Sequence, residues 1–324
     1  MAVLLYTENT DGKFKKSIFE AVTYARAIAD QNSTNVIALS IGTVANDELT
    51  QLAKYGADKI LNVSADNLKT FVNQAYASVI AEAAKKQGAE IVILSNTFSG
   101  RGLAPRIGVK LQAGVVEGAV ALPDQSGGKF VVKKTVFSGK AFAMVELTSA
   151  NKVIGLTPNS YHIIESNKPV QIEDFSVNTN PADFKAMLQE IVRSTDKVSL
   201  SDAEIIVSAG RGLKGPENWK MIEELAEVLG AAVACSKPVS DAGWRPHSEH
   251  VGQTGISVSP NLYIAIGISG AIQHLAGISA SKNIVVINND ADAPFFKVAD
   301  YGIVGDAFEI VPQLIAAVKQ KIVP

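Results

Sequence analysis

The sequence predicts an α/β protein with two domains, each built on an open, doubly wound sheet. The chain has 324 residues, about twice the length of an ordinary domain. Short apolar runs of strand type alternate with helix-like stretches in both halves, which is typical of parallel sheets with right-handed crossovers. A short polar stretch, 193–200, lies between the halves. We therefore place the domains at 1–193 and 194–324.

The first half begins with strands and helices in turn. Apolar runs predict strands at 3–6, 35–39 and 90–94. Apolar residues at helical spacing predict helices at 15–29, 46–55 and 70–86. From Lys129 the pattern changes, because the segments 130–137 and 141–147 are typical of paired antiparallel strands. A further strand is predicted at 153–156.

The second half returns to regular alternation. Strands are predicted at 204–209, 231–234, 262–268, 283–288 and 301–304. Helices are predicted at 216–229 and 307–321. This pattern predicts a Rossmann-like sheet, in which ligands bind at the carboxyl ends of the strands.

The composition excludes several classes of function. The 30 basic and 32 acidic residues give a net charge of −2 and form no basic patch, which argues against nucleic acid as a partner. One cysteine excludes an internal disulfide framework. No apolar run approaches the roughly 20 residues of a membrane span, and no signal peptide is evident at the N-terminus. We expect a soluble, cytoplasmic protein without direct membrane insertion.

Two loops at the predicted ligand edge combine glycines with a cation. In 208–215, glycines allow close approach of a ligand to the backbone, and Arg211 can pair with phosphate in a bidentate way. Ser236 and Lys237 follow the next strand. The Gly100-Arg101-Gly102 segment of the first domain also resembles a phosphate-binding turn, but we interpret it as structural.

Two further loops carry polar groups between glycines. The segment 251–255 places Gln253 and Thr254 between Gly252 and Gly255. After the strand at 262–268, Ser269 is predicted to cap a helix whose backbone N–H groups face the ligand edge, with His274 about one turn inside it.

The remaining candidates for chemistry are weak. The histidines are scattered along the chain, which argues against a metal site; they are His162, His247, His250 and His274. Cys235 follows an apolar strand, and we expect a buried, unreactive thiol there. No acidic residue stands at a spacing that would complete a hydrolytic triad with a histidine.

Taken together, the loops resemble the alpha subunit of electron transfer flavoproteins. The motifs that carry the resemblance are GRGL at 210–213, DAG at 241–243, VGQTG at 251–255, LYIAIGISGAIQHLAGI at 262–278, VVINND at 285–290 and VADYGIVGD at 298–306. The resemblance also covers the first domain, though more loosely, through GLAPR at 102–106.

The resemblance implies an FAD-binding second domain in a heterodimer with a beta subunit, which the first domain contacts. It places Thr254 near the flavin N5, His274 at the pyrimidine carbonyl and Asn288 at the adenosine end. The residues that it assigns to the cofactor are Arg211, Ser236, Lys237, Val251, Gly252, Gln253, Thr254, Ser269, Gly270, Ala271, Ile272, Gln273, His274, Asn288, Asp306 and Ala307.

One position departs from the resemblance. The family commonly has an arginine stacked on the flavin where this sequence has Lys237. Lysine keeps the positive charge but loses the planar, forked donors of arginine. The substitution leaves open how strongly the protein favours a one-electron-reduced, anionic flavin.

The implied function is electron transport without chemistry by the protein itself. Electrons would come from flavoprotein dehydrogenases, acyl-CoA dehydrogenases first among them, and pass to an electron transfer flavoprotein quinone oxidoreductase. A flavin-bifurcating version that uses NADH stays open, as does a non-redox nucleotide-binding α/β protein. An NAD-dependent dehydrogenase is disfavoured, since neither 3–12 nor 208–215 supplies G-x-G-x-x-G together with an acidic residue about 20 positions further on.

Overall fold

The chain folds into two α/β units. The computed structural model describes residues 2–137, 139–186 and 199–322. One compact unit is formed by the N-terminal part of the chain and the other by the C-terminal part. The boundary that the sequence predicts, between 193 and 194, lies outside the described residues. The predicted class, a two-domain α/β protein, is confirmed.

The N-terminal unit is built on a nine-stranded sheet. The sheet contains β1 (Ala2–Thr7), β4 (Asn35–Ile41), β5 (Lys59–Val63), β6 (Ala89–Ser95), β7 (Gly114–Ala119), β8 (Val131–Val136), β9 (Ala141–Glu146), β10 (Lys152–Leu156) and β11 (Gln171–Asp174). Strands β2 (Asn9–Thr10) and β3 (Lys13–Phe14) form a small separate hairpin. The order is β11-β5-β4-β1-β6-β10-β7-β8-β9. Only β8 and β9 run antiparallel to their neighbours, as the change of pattern after Lys129 predicts.

Helices cover both faces of this sheet. They are α1 (Lys16–Gln31), α2 (Asn46–Gln51), α3 (Asn73–Gln87) and α4 (Phe98–Leu111). Helix α1 buries Ile18, Val22 and Ala25 against one face. Helices α3 and α4 bury residues such as Ile80 and Leu103 against the other. Because side chains of the central strands reach both cores, those strands are mostly apolar.

The Gly100–Gly102 segment is helix rather than the predicted turn. Helix α4 begins one residue after Thr97, whose hydroxyl accepts a hydrogen bond from the Gly100 N–H at 3.0 Å. The carbonyl oxygen of Ser95 occupies the place where a Cβ on residue 100 would lie. Gly100 is therefore explained by close packing of the helix start against strand β6, in keeping with a structural role.

The C-terminal unit is a five-stranded, fully parallel sheet. Its elements are β12 (Ile205–Ala209), α5 (Lys220–Leu229), β13 (Ala232–Cys235), α6 (Lys237–Asp241), β14 (Leu262–Ile266), α7 (Ile272–Ile278), β15 (Ile284–Asn288), β16 (Tyr301–Val304) and α8 (Ala307–Ile322). The strand order is β13-β12-β14-β15-β16. Helices α5 and α8 pack on one face and α7 on the other. The crossovers therefore change sides between β12 and β14, which makes this point the expected ligand site.

Within the described part of the chain, no helix combines the length and the apolar character that a membrane span requires.

Candidate functional site

A cavity of about 500 Å³ lies at the carboxyl edge of the C-terminal sheet. The loops after β12, β13, β14 and β15 line it, and those after β12 and β14 flank the switch point of the sheet. A volume of this size is within the usual range for small-molecule and cofactor sites. The fold thus brings the four loops that the sequence singles out to one place.

Most of the predicted cofactor residues line this cavity. Three do not. Ile272 is exposed at the start of α7, and Ala307, the first residue of α8, is buried in the core. Asp306 accepts a hydrogen bond from the Phe308 N–H at 2.9 Å and so belongs to the start of α8.

Glycines bring the loop after β12 into direct contact with the loop after β14, and together the two loops form one wall of the cavity. The N–H of Gly212 donates to the carbonyl of Gly267 at 3.1 Å. A Cβ on residue 212 would lie 2.7 Å from the Gly267 Cα, and a Cβ on residue 210 would overlap the Gly267 carbonyl oxygen. Because the two loops meet backbone to backbone, the wall presents peptide groups to the cavity.

Ser269 does not cap helix α7, contrary to the prediction. The helix begins at Ile272, after Ala271, and no side chain caps it. Gly270 has a φ of +91°, and a Cβ there would lie 2.6 Å from the Phe295 backbone nitrogen. The turn around Gly270 therefore delays the helix, and Ser269 stays in the loop, where its carbonyl accepts from the Phe295 N–H at 3.1 Å.

Helix α7 packs directly against the loop formed by residues 251–254. The N–H of Gln253 donates to the Gln273 carbonyl at 2.7 Å. A Cβ on Gly277 would lie 2.5 Å from the Gly252 Cα, so the loop and the helix touch without intervening side chains. This close approach places 251–254 beside His274.

His274 is buried and neutral. Only 6% of its surface is exposed, and its Nε2 lies 2.9 Å from the hydroxyl of Tyr263 on β14. Burial, and then the charge on nearby His250, lower the pKa of His274 to about 4, against an opposing effect of the Val251 backbone. At neutral pH the imidazole is therefore uncharged.

The sequence reasoning missed His250 and Asp290, which also line the cavity. The carbonyl of His250 accepts from the Ile256 N–H at 2.8 Å and closes the loop. Burial and the neighbouring His247 lower the pKa of His250. The Asp290 N–H donates to the Asn288 side chain at 3.1 Å. The available signals were that His250 directly precedes the VGQTG segment and that Asp290 is the last residue of the VVINND segment.

Cys235 ends strand β13, directly before Ser236 of the cavity lining. The side chain is fully buried, and burial raises the pKa of its thiol to about 12. Because the thiolate is the reactive form, this thiol is inert near neutral pH. Among the described residues, no three His, Cys, Asp or Glu side chains come close enough to hold a metal ion.

The groups present fit a phosphate-containing cofactor with a polar ring. The cavity offers peptide groups in its glycine walls and two exposed cations, Arg211 and Lys237, which suit phosphate. A doubly wound sheet with such a cavity at its switch point defines an α/β protein that binds a nucleotide cofactor.

Comparison with known proteins identifies the family. Residues 3–180 match the family model described as "Electron transfer flavoprotein domain", and residues 199–279 match "Electron transfer flavoprotein FAD-binding domain". The chain belongs to the electron transfer flavoprotein alpha-subunit family, as the sequence resemblance predicts. FAD is the cofactor of the matching C-terminal domain.

Curated relatives support the same assignment over the whole chain. The electron transfer flavoprotein subunit alpha of Bacillus subtilis is 40% identical, over 98% of this chain and 97% of that protein. The subunit alpha of Thermoanaerobacterium thermosaccharolyticum is 37% identical over 98% of both chains. A further relative is "Lactate dehydrogenase (NAD(+),ferredoxin) subunit LctC" of Acetobacterium woodii, 31% identical over 98% of this chain and 77% of that protein.

Proposed function

We propose that this chain forms a heterodimer with an electron transfer flavoprotein beta subunit and carries electrons from acyl-CoA dehydrogenases to an electron transfer flavoprotein quinone oxidoreductase. The cavity at the switch point supports the FAD-binding part of the proposal, because it joins backbone groups suited to phosphate, two cations and a neutral imidazole at one sheet edge. Bound FAD supplies the one- and two-electron chemistry. The proposed location is the cytoplasm.

The chain's own residues would hold and tune the cofactor. Arg211 and the glycine walls after β12 and β14 are suited to the pyrophosphate. Lys237 would place positive charge near the ring, and Thr254 would offer a hydroxyl hydrogen bond. His274, held neutral, would offer hydrogen bonding without a charge. Positive charge and donors at a flavin stabilise its reduced, more negative forms.

We assign contacts with the beta subunit to the N-terminal domain. Several of its large apolar side chains are exposed, among them Phe98 and Val109 on α4 and Phe142 and Met144 on β9. Exposed apolar groups of this kind commonly mark interaction surfaces.

A bifurcating complex that oxidises NADH is the second candidate. It is favoured by one observation: the name of the Acetobacterium woodii relative includes NAD(+) and ferredoxin. The two candidates differ in the electron donor that reduces the flavin of the purified complex.

The test is the visible absorption spectrum of the chain co-expressed with its beta subunit. We expect flavin bands, about one FAD in the site of this chain, and bleaching on addition of an acyl-CoA dehydrogenase with its substrate. Bleaching by NADH alone would favour the bifurcating candidate, and a colourless complex would overturn both.

A matched pair of variants links the spectrum to the cavity. Lys237→Gln removes a cavity cation and should weaken FAD binding about tenfold, the effect of one charge-assisted contact. Lys282→Gln makes the same change of charge at an exposed position outside the cavity and should leave FAD binding unchanged. Equal affinities in the two variants would remove Lys237 from the site.

A further inference from the structure

The connection between α6 and β14 supplies one part of the cavity wall. In the described chain, residues 242–261 contain neither an α-helix nor a strand of the sheet. The cavity lining takes consecutive residues from this connection, which are His250, Val251, Gly252, Gln253 and Thr254. Without the regular hydrogen bonds of a helix or a sheet, such a segment keeps its place through side-chain contacts and scattered backbone bonds. The shape of the wall therefore depends on the contacts that hold the connection.

Arg245 joins this connection to helix α5. Its Nε and Nη2 donate to the two carboxylate oxygens of Glu249 at 2.6 and 2.8 Å. Its Nη1 donates to Glu223 on α5 at 2.9 Å. The guanidinium also lies over the ring of Trp219, in the turn before α5, with 5.5 Å between its central carbon and the ring centroid. One side chain thus contacts the connection on one side and the start of α5 on the other.

The ion pair at the centre of this cluster is shielded from water. The side chains of Arg245 and Glu249 are 13% and 8% exposed. A buried ion pair with two parallel hydrogen bonds has a fixed geometry, and loss of one partner leaves the other charge buried without compensation. The pair between Lys319 and Glu224, at the surface of the same helix, has both side chains about half exposed and constrains little. Arg245 is therefore a strong contact of the connection.

Glu249 passes this constraint to the cavity lining through the residues that follow it. His250 pairs with Cys235 at the end of β13, and the N–H of Val251 donates to the Cys235 carbonyl at 3.1 Å. Ser236, directly after Cys235, also lines the cavity. The position of Glu249 thus sets where the chain enters the wall beside β13.

We propose that Arg245 is a positioning residue of the cofactor site: by holding Glu249 against α5, it fixes the residues that follow, 250–254, in the wall of the cavity. This inference rests on the proposed function, because it takes the cavity to hold FAD. Arg245 is not among the described residues that line the cavity, so it would act on the cofactor only through this loop. A loop held in place beforehand binds its ligand with a smaller loss of conformational entropy.

Arg245→Met removes the ion pairs and keeps an unbranched side chain. In the complex with the beta subunit, we expect FAD to bind about tenfold more weakly, because the loop 251–254 loses its fixed position. For the same reason, the visible circular dichroism of the bound flavin should change. Arg245→Lys keeps the charge without the fork of donors and should recover part of the affinity. FAD titration and the spectrum of each complex measure these effects, and an unchanged affinity and spectrum in Arg245→Met would overturn the proposal.

Lys319→Met is the matched control, because it breaks an exposed ion pair on the same helix and should change neither measurement. Hydrogen exchange of the full chain without FAD separates positioning from general stability. In Arg245→Met, exchange should become faster in peptides from 245–256 while the strands of the sheet stay protected. Faster exchange throughout the C-terminal unit, with normal FAD affinity in the folded protein, would make Arg245 merely structural and overturn the proposal.

Glu223→Ala decides the question if Arg245→Met does not fold. Glu223 is about half exposed, and its loss leaves the pair of Arg245 with Glu249 intact. We expect a smaller change in the same direction, and an unchanged affinity and exchange pattern would then overturn the proposal. An unmodified complex without FAD would overturn the proposed function instead, while exchange of 245–256 in the free chain would still show whether Arg245 holds the segment.

Discussion

His274 couples the cofactor cavity to the pH dependence of stability. Its pKa in the folded protein is about 4, against an ordinary value of about 6.5. As the pH falls below 6.5, the unfolded chain takes up a proton that the folded chain does not. The stability contributed by the neutral imidazole is therefore lost between about pH 6.5 and 4.

We predict that the free energy of unfolding of the chain falls by up to about 3 kcal/mol over this range because of His274. Urea unfolding at pH 7 and pH 5 measures the part of this change that falls above pH 5, about 2 kcal/mol. His274→Gln should flatten the pH dependence in part, since the pKa of His250 is lowered as well. The exposed His162 provides the control, and His162→Gln should leave the pH dependence intact. If the free energy of unfolding depended on pH equally in the unmodified chain, in His274→Gln and in His162→Gln, a buried, neutral His274 would be contradicted.

Single residues of the site could be predicted where the signal is local. Arg211 and Lys237 each stand two residues after the end of an apolar strand, and the carboxyl end of a parallel strand is enough to predict their place at the ligand edge. Tyr263 gave no such signal, because it lies within an apolar strand and its partner His274 is eleven positions on. That pair depends on how β14 and α7 pack, which no short-range pattern contains.

At the scale of elements, the contact between the loops after β12 and β14 depends on glycine. We predict that Gly210→Ala lowers the free energy of unfolding by about 2–4 kcal/mol and weakens FAD binding, since its Cβ would overlap the Gly267 carbonyl. Gly230→Ala, at the end of α5, is the control. It has a φ of +61° with open space around it and should cost about 1 kcal/mol without loss of FAD.

Chemical denaturation and FAD titration measure the two quantities on the same samples. If Gly210→Ala had the same free energy of unfolding and the same affinity for FAD as the unmodified chain, the contact between residue 210 and the Gly267 carbonyl would not shape the cavity.

Elements with a clear pattern were predicted to within a few residues, and the exceptions have physical causes. The sequence reasoning missed α4, because Gly100, Gly102, Pro105 and Gly108 all discourage a helix. Packing overrides their propensity: Thr97 caps the helix, and the Val115 side chain fills the space that a Cβ on Gly108 would need. The short strand β5 was missed as well; of its five residues two are polar, Lys59 and Asn62.

At the scale of the whole molecule, the cofactor cavity is confined to one unit. Every described residue that lines it lies between Gly210 and Asp290. We predict that FAD slows amide hydrogen exchange in peptides from this span and leaves most of the N-terminal unit unaffected, because binding stabilises the structure that it contacts.

Hydrogen exchange of the complex with the beta subunit, stripped of FAD and then reloaded, tests this prediction. Reloading should restore the original exchange pattern, which controls for damage during stripping. Protection found mainly in peptides from the N-terminal unit would place the cofactor elsewhere.

The buried thiol of Cys235 has a practical consequence for such measurements. It is the chain's one cysteine, and its raised pKa leaves almost no thiolate at neutral pH. A cysteine introduced at an exposed position would be the one thiol of this chain to react with a maleimide dye. Fluorescent or spin labels can therefore be attached at chosen sites without first replacing a native residue, and distances between a label and the bound flavin become measurable in the unmodified core.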